Sequence, residues 1–189
     1  DMGLSGKGVA ERSARHVLLD RCLKDSATER EYLTTFSAED HWLLDEHRIK
    51  GGEALIPGTG YLEIARAALE EHPLPDHRVE IRDFSFHAPF VVPANSPSEM
   101  HVRLKREDGG WNLEVHGEQG GVHAAGHVAY IPAGPSVAVS LAEISQRCSK
   151  SEETFDSAAD TNLDFGPRWN NRQRIRFGDK EALLSLELP

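Results

Sequence analysis

Cysteine is scarce: the 189 residues hold two, Cys22 and Cys148, far apart and outside any C-x-x-C spacing. That spacing speaks for reduced thiols in a cytoplasmic protein and against a disulfide framework. Long apolar runs are missing as well. None approaches the ~20 residues that span a bilayer, so no membrane partner is expected. The first residues, DMGLSGKGVAERS, have no apolar core of a secretory signal and read as a cut edge. Basic residues are outnumbered, 21 Lys and Arg against 31 Asp and Glu, for a net charge of −10. A nucleic-acid partner is thereby disfavoured, since phosphate binding wants clustered Lys and Arg. The hydrophobic fraction, 39%, is modest. The length fits one domain, or one complete unit followed by part of another.

What is present begins with ten histidines and one well-punctuated stretch, His41 to Leu69. There His47 precedes the pair Gly51-Gly52, and Pro57-Gly58-Thr59-Gly60 opens a helix. Tyr61, Ile64, Ala65, Ala68 and Leu69 recur at helical spacing, and Pro73 lies past the end. The amides of a helix start are unpaired and carry partial positive charge. A histidine beside them can accept a proton while they stabilise an oxyanion or enolate, which suits proton abstraction next to a carbonyl. A lone histidine also fits a turn or a satisfied core position. Asp45 and Glu46 can orient His47 or simply be solvated. His41 can approach His47, and His123 and His127 share a strand face, but the spacing supplies no third and fourth metal ligand.

Around this stretch the chain reads mainly as β-structure. Residues 1–30 are polar with poor periodicity, and are expected to be linker or an upstream remnant. Glu31 to Phe36 is a strand candidate. After Pro75 come Arg78–Arg82, Phe84–Ala88, Phe90–Val92, Met100–Lys105, Trp111–Val115 and Val122–Tyr130, with a hairpin signal at Asp108-Gly109-Gly110. One long helix laid against a curled antiparallel sheet is an α+β layout, assigned to residues 31–132. Residues 133–150 read as linker with a short helix from Leu141 to Arg147. Residues 151–189 open a second unit, with strands at Gln173–Phe177 and Ala182–Leu188. Two strands with an uncovered face are not a stable unit, so the second unit is expected to be truncated.

The residues D-E-H-R-I-K-G-G-E-A-L-I-P-G-T-G-Y-L-E resemble the H-x-x-x-G-x-x-x-x-P motif of the dehydratase domains of modular polyketide synthases. Ala88-Pro89-Phe90-Val91-Val92-Pro93 and His123-Ala124-Ala125-Gly126 fit the same pattern. Leu163-Asp164-Phe165-Gly166-Pro167-Arg168-Trp169 resembles the Y-G-P-x-F motif that opens the second half. The likeness runs over residues 30–189. It implies a double hotdog, each half a long helix wrapped by an antiparallel sheet, with the second half incomplete in this chain. It also implies removal of water from a 3-hydroxyacyl thioester held on the phosphopantetheine arm of an acyl carrier protein, without metal or organic cofactor. By motif position His47 is the base. Pro57, Gly58, Thr59, Gly60, Tyr61, Phe165, Gly166 and Pro167 would line the substrate. Neighbouring synthase domains and a second copy of the chain are the further partners expected. Lys105, Arg106, Arg168, Arg172, Arg174 and Arg176 are ordinary surface charge, or a face toward an acidic carrier protein.

The sequence departs from the pattern at three places. His47 to Pro57 is one residue longer, because both Gly51 and Gly52 are present. Phe165 stands for the usual Tyr, and Trp169-Asn170-Asn171 for F-Q-G. The family's D-x-x-x-Q/H motif is absent: Asp179 is the only Asp after Gly166, with Leu183 four residues on. The acid is therefore expected in sequence beyond these residues. Related chemistry on the same histidine motif (double-bond isomerase, cyclase, thioester hydrolase) and an inactive dimerising scaffold are the alternatives.

Overall fold

The computed structural model describes residues 12–135, 137–154, 162–169 and 171–187. In chain order the elements are β1 (Arg12–Ser13), β2 (Arg21–Asp25), β3 (Glu29–Phe36), α1 (Trp42–Asp45), β4 (His47–Ile49), β5 (Ala54–Leu55), α2 (Gly58–Glu70), β6 (His77–Phe86), β7 (Val91–Val92), β8 (Ser98–Glu107), β9 (Gly110–Gly117), β10 (Val122–Pro132), α3 (Leu141–Arg147), β11 (Ser151–Thr154), β12 (Leu163–Phe165), β13 (Arg172–Phe177) and β14 (Ala182–Leu186). Seven strands form one antiparallel sheet in the order β1-β2-β3-β8-β9-β10-β6. The helical face read from the sequence is the buried one: Tyr61, Ile64, Ala65, Ala68 and Leu69 are all inside. They meet Tyr32 and Phe36 of β3, Met100, Val102 and Leu104 of β8, and Leu113 and Val115 of β9 in one core. Alternation along β8 and β9 turns these residues inward, and Asp108-Gly109 makes the tight turn between them, with Gly109 at φ +80. This is the hotdog arrangement, a long helix wrapped by an antiparallel sheet.

The linker reading of residues 1–30 does not hold for residues 12–30. β1 and β2 extend the sheet beyond β3, and Leu18, Leu19 and Cys22 are core residues. Polar contacts take the place of periodicity here. Thr34 Oγ1 donates to the Leu18 carbonyl at 2.8 Å, while Glu71 at the end of α2 accepts from the Arg12 guanidinium at 2.8 Å and the Arg15 amide at 2.6 Å. Burial alone would push the Glu71 carboxyl up, but Arg12 and the Arg15 N–H outweigh it and hold the group below the ordinary carboxylate range. A carboxyl depressed by folding adds stability that is fully present above the unfolded Glu value of about 4.3 and is lost as pH falls through the lower folded value. Protection factors of the amides in residues 12–25, referenced to the intrinsic exchange rate at each pH, are therefore expected to fall on acidification through that window. Glu71→Gln should remove the dependence, and an unchanged acid response in the variant would contradict it.

Both cysteines are buried and free. Among the described residues no helix is long and apolar enough to cross a membrane. α3 occupies the expected Leu141–Arg147, capped by Ser140, whose hydroxyl accepts from the Glu143 amide. Beyond it, Arg147 pairs with Glu181 and the Lys150 amide donates to Phe177. The tail of the expected 133–150 linker thus packs on a second sheet, β11-β13-β14.

Candidate functional site

His47 opens β4 immediately after α1, whose last turn presents Leu43 and Leu44 to the core. The β4–β5 hairpin folds back through Arg48↔Ala54 pairing and brings the Leu55 carbonyl to 2.8 Å from His47 Nδ1. A carbonyl only accepts, so Nδ1 carries the proton and Nε2 holds the lone pair. The ring itself is buried, 6% exposed. The additional residue between His47 and Pro57 is taken up at the hairpin tip. Gly51 adopts φ +73, a conformation that strains any residue with a Cβ, and the Gly52 amide returns to the Ile49 carbonyl at 2.9 Å.

Leu55 leads through Ile56 directly into the helix start. Ile56 is fixed by its amide on the Phe90 carbonyl, and Pro57 is extended, at φ −68 and ψ 154. So the carbonyl that orients His47 lies three residues before the first amide of α2. The expected substrate residues divide here. The Gly60 amide is taken by the Pro57 carbonyl at 2.8 Å, and a Cβ at Gly60 would press on Ile56 at 3.1 Å and Leu43 at 3.3 Å. Tyr61 is buried and its hydroxyl accepts the Phe90 amide at 3.0 Å. Burial pushes that phenol up to about 12. Gly60 and Tyr61 thus also carry packing roles at the helix start. Gly58 and Thr59 remain, at the end of the helix where amides lack intrahelical acceptors. The Phe86 ring lies against Gly58, and Phe86 is 55% exposed.

The second-half motif covers His47. β12 pairs with β4 in the register Phe165↔His47, Asp164↔Arg48, Leu163↔Ile49. The rings of Phe165 and Trp169 lie 5.5 and 5.3 Å from the imidazole. Pro167 begins the short 3-10 turn Pro167–Trp169 that carries Trp169 into place. Glu46 is the clasp. Its backbone carbonyl accepts the Gly166 amide at 3.0 Å, and its carboxylate accepts the Arg168 amide at 2.6 Å and the Arg168 guanidinium. Gly166 has to be glycine, because a Cβ there would stand 2.2–2.7 Å from the Glu46 side chain. Trp169 also borders an apolar cleft of about 350 Å³ with Leu18, Trp42, Leu43, Thr59 and Gly60.

The remaining candidates are engaged as follows. Asp45 pairs with Arg48. His41 packs edge-on to Phe36 and reaches the Val17 carbonyl. His123 Nδ1 faces the Ala88 and Pro89 carbonyls. Among the described residues no group of three or more His, Cys, Asp or Glu is placed to hold a metal ion. Asp179 sits between β13 and β14, 87% exposed and paired with Lys150. Of the basic residues, Arg168 is bound to Glu46 and lies over Trp42, Arg174 pairs with Glu152, and Arg106 lies over Trp111. Glu46 is the site residue that sequence reasoning undervalued. Its partners are 122 residues away, and the proximity of an acidic residue to His47 was the sole local signal.

The model of the polyketide synthase dehydratase domain matches residues 16–118, more than half of the chain. Polyketide synthase PksN of Bacillus subtilis is 27% identical over 85% of the chain, which spans 3% of that protein. A trans-AT polyketide synthase dehydratase domain from Brevibacillus brevis superposes with a TM-score of 0.78 at 24% identity, over 94% of this chain and 66% of that one. Inactive mutants of the CurK dehydratase, one His-to-Phe and one Asp-to-Asn, superpose with a TM-score of 0.79 at 21% identity, over 93% of this chain and 66% of theirs. These likenesses carry the double-hotdog fold, of which this chain holds the first half and part of the second.

Proposed function

Because the chain belongs to the polyketide synthase dehydratase domain family, we propose that it supplies the base and the carbonyl site for dehydrating a 3-hydroxyacyl thioester on an acyl carrier protein. His47 Nε2 takes the proton from C2. The electron pair moves toward the thioester carbonyl, whose oxygen is stabilised by the first amides of α2, at Gly58 and Thr59. The C3 hydroxyl leaves as water with a proton from an acid, and the C2–C3 double bond remains. The observation that carries this reading is the 2.8 Å bond from His47 Nδ1 to the Leu55 carbonyl. It fixes the tautomer a base needs and ties that base to the helix start. Phe165 and Trp169 shield the imidazole from water, and the neighbouring apolar cleft suits an acyl chain.

Exposed Asp179 is engaged with Lys150, so the proposed acid is an aspartate that the described residues do not supply. The inactivity of both the His-to-Phe and the Asp-to-Asn mutant of the CurK dehydratase supports such a pair. The substrate is carried by its thioester arm with no metal or organic cofactor, and neighbouring synthase domains and a second copy of the chain are the proposed partners. Mass spectrometry of a 3-hydroxyacyl carrier protein incubated with the full-length protein separates the chemistries. The expected result is loss of one water to a 2-enoyl thioester. An acyl group of unchanged mass, or release of the free acid, would overturn the reading in favour of isomerase, cyclase or hydrolase chemistry.

A further inference from the structure

A second cleft, of about 420 Å³, lies at the opposite end of α2 from the helix start. Its ionisable lining is Arg30, His72, His77, Arg106 and Tyr130, with no carboxylate. Three other clefts each carry at least one: Glu99 and Glu118, Glu39 and Asp40, and Glu63. On a chain with a net charge of −10 such a lining stands out by its sign. Trp111 organises it. The indole is 2% exposed, with the Arg30 guanidinium 4.5 Å and the Arg106 guanidinium 5.1 Å from its ring centroid. Stacking on an aromatic face holds a guanidinium in a fixed orientation while its N–H edges stay available.

Those edges are only partly used by the protein: Arg30 donates to the Tyr130 hydroxyl, and other donors are left over. Arg30 Nε and Nη1 and Trp111 Nε1 are buried without an acceptor, whereas buried donors are almost always paired. The neighbouring carboxylate is Asp25. It lies 3.6 Å from Arg30 Nε, too far for a hydrogen bond, and is shared with Arg12 and His72. The Tyr130 hydroxyl is committed to the Leu69 and His72 carbonyls. Arg30 of β3, Arg106 of β8 and Trp111 of β9 thus line one cavity from separate elements, and guanidinium groups on two sides suit an oxyanion with several oxygens.

We propose that the cleft formed by Arg30, Arg106 and Trp111 binds a phosphate-type oxyanion, at a site separate from His47. The three tryptophans give three indole N–H signals, and Trp111→Phe assigns the one that matters. Titrating the full chain with inorganic phosphate should shift the Trp111 signal saturably and leave those of Trp42 and Trp169 in place. Arg106 is exposed, so Arg106→Gln should keep the fold, judged by unmoved Trp42 and Trp169 signals, and weaken phosphate about tenfold. Acetate at matched ionic strength should do little. No saturable shift, an equal response to acetate, or phosphate binding unchanged in Arg106→Gln would each overturn the proposal.

Discussion

Replacing His47 by Gln is expected to slow water loss by roughly 10²–10⁴-fold, the usual contribution of one general base. The fold should survive. β4 is held by main-chain pairing to β5 and β12, and a Gln amide can still donate to the Leu55 carbonyl. The change falls on the lone pair at Nε2, which no Gln atom reproduces with comparable basicity. Steady-state rates with a 3-hydroxyacyl carrier protein, measured in the full-length protein, give the comparison. Turnover within a few-fold of wild type would remove His47 from the chemistry, whatever the product.

The second large effect is expected at the clasp. Gly166→Ala forces a Cβ into the Glu46 side chain, and overpacking of this kind costs about 1–3 kcal/mol. Glu46→Ala removes the acceptor for the Arg168 amide and guanidinium. The ion pair itself is the smaller part, because the Arg168 side chain is 55% exposed and solvent screens it. The larger part is the bond from the Arg168 amide to a carboxylate whose side chain is 10% exposed. Charge-assisted bonds of this type contribute about 1.5–3 kcal/mol. Both substitutions should loosen Phe165 and Trp169 from the imidazole and reduce kcat, with a lowered Tm. Glu46→Gln keeps an acceptor oxygen and should fall between. Hydrogen exchange tells displacement from general unfolding: faster exchange confined to residues 163–169 is expected, and faster exchange throughout α2 would contradict a local clasp.

How far the sequence carried the fold depended on where each element finds its partners. α2 was legible because its apolar residues face one core at helical spacing and Pro57 and Pro73 bracket it. β8 and β9 were legible because alternation and Asp108-Gly109 act within a few residues. β1 and β2 were not, since they are anchored by Arg12 on Glu71, 59 residues away, and by Leu18 on Thr34. Such contacts leave no periodic trace. Phe84 and Phe86, read apart from Arg78–Arg82, belong to one strand, bent where Asp83 takes φ 51. The same division runs through the site. His47, Gly58 and Phe165 stand at motif positions, whereas the packing contacts of Gly60 and Tyr61 could not be read from the motif. Only the surroundings of a side chain separate a group that meets substrate from one that supports the wall. Glu46 illustrates the converse, an unremarkable acidic residue made structural by a segment far along the chain.

In the proposed reaction His47 moves the C2 proton. The most direct test offers the 2-enoyl or 3-hydroxyacyl carrier-protein thioester to the full-length protein in deuterated water and follows deuterium at C2. Deuterium is expected at C2 with the wild-type protein, and a rate of incorporation lower by roughly 10²-fold or more with His47→Gln. Equal incorporation by the two proteins would contradict it.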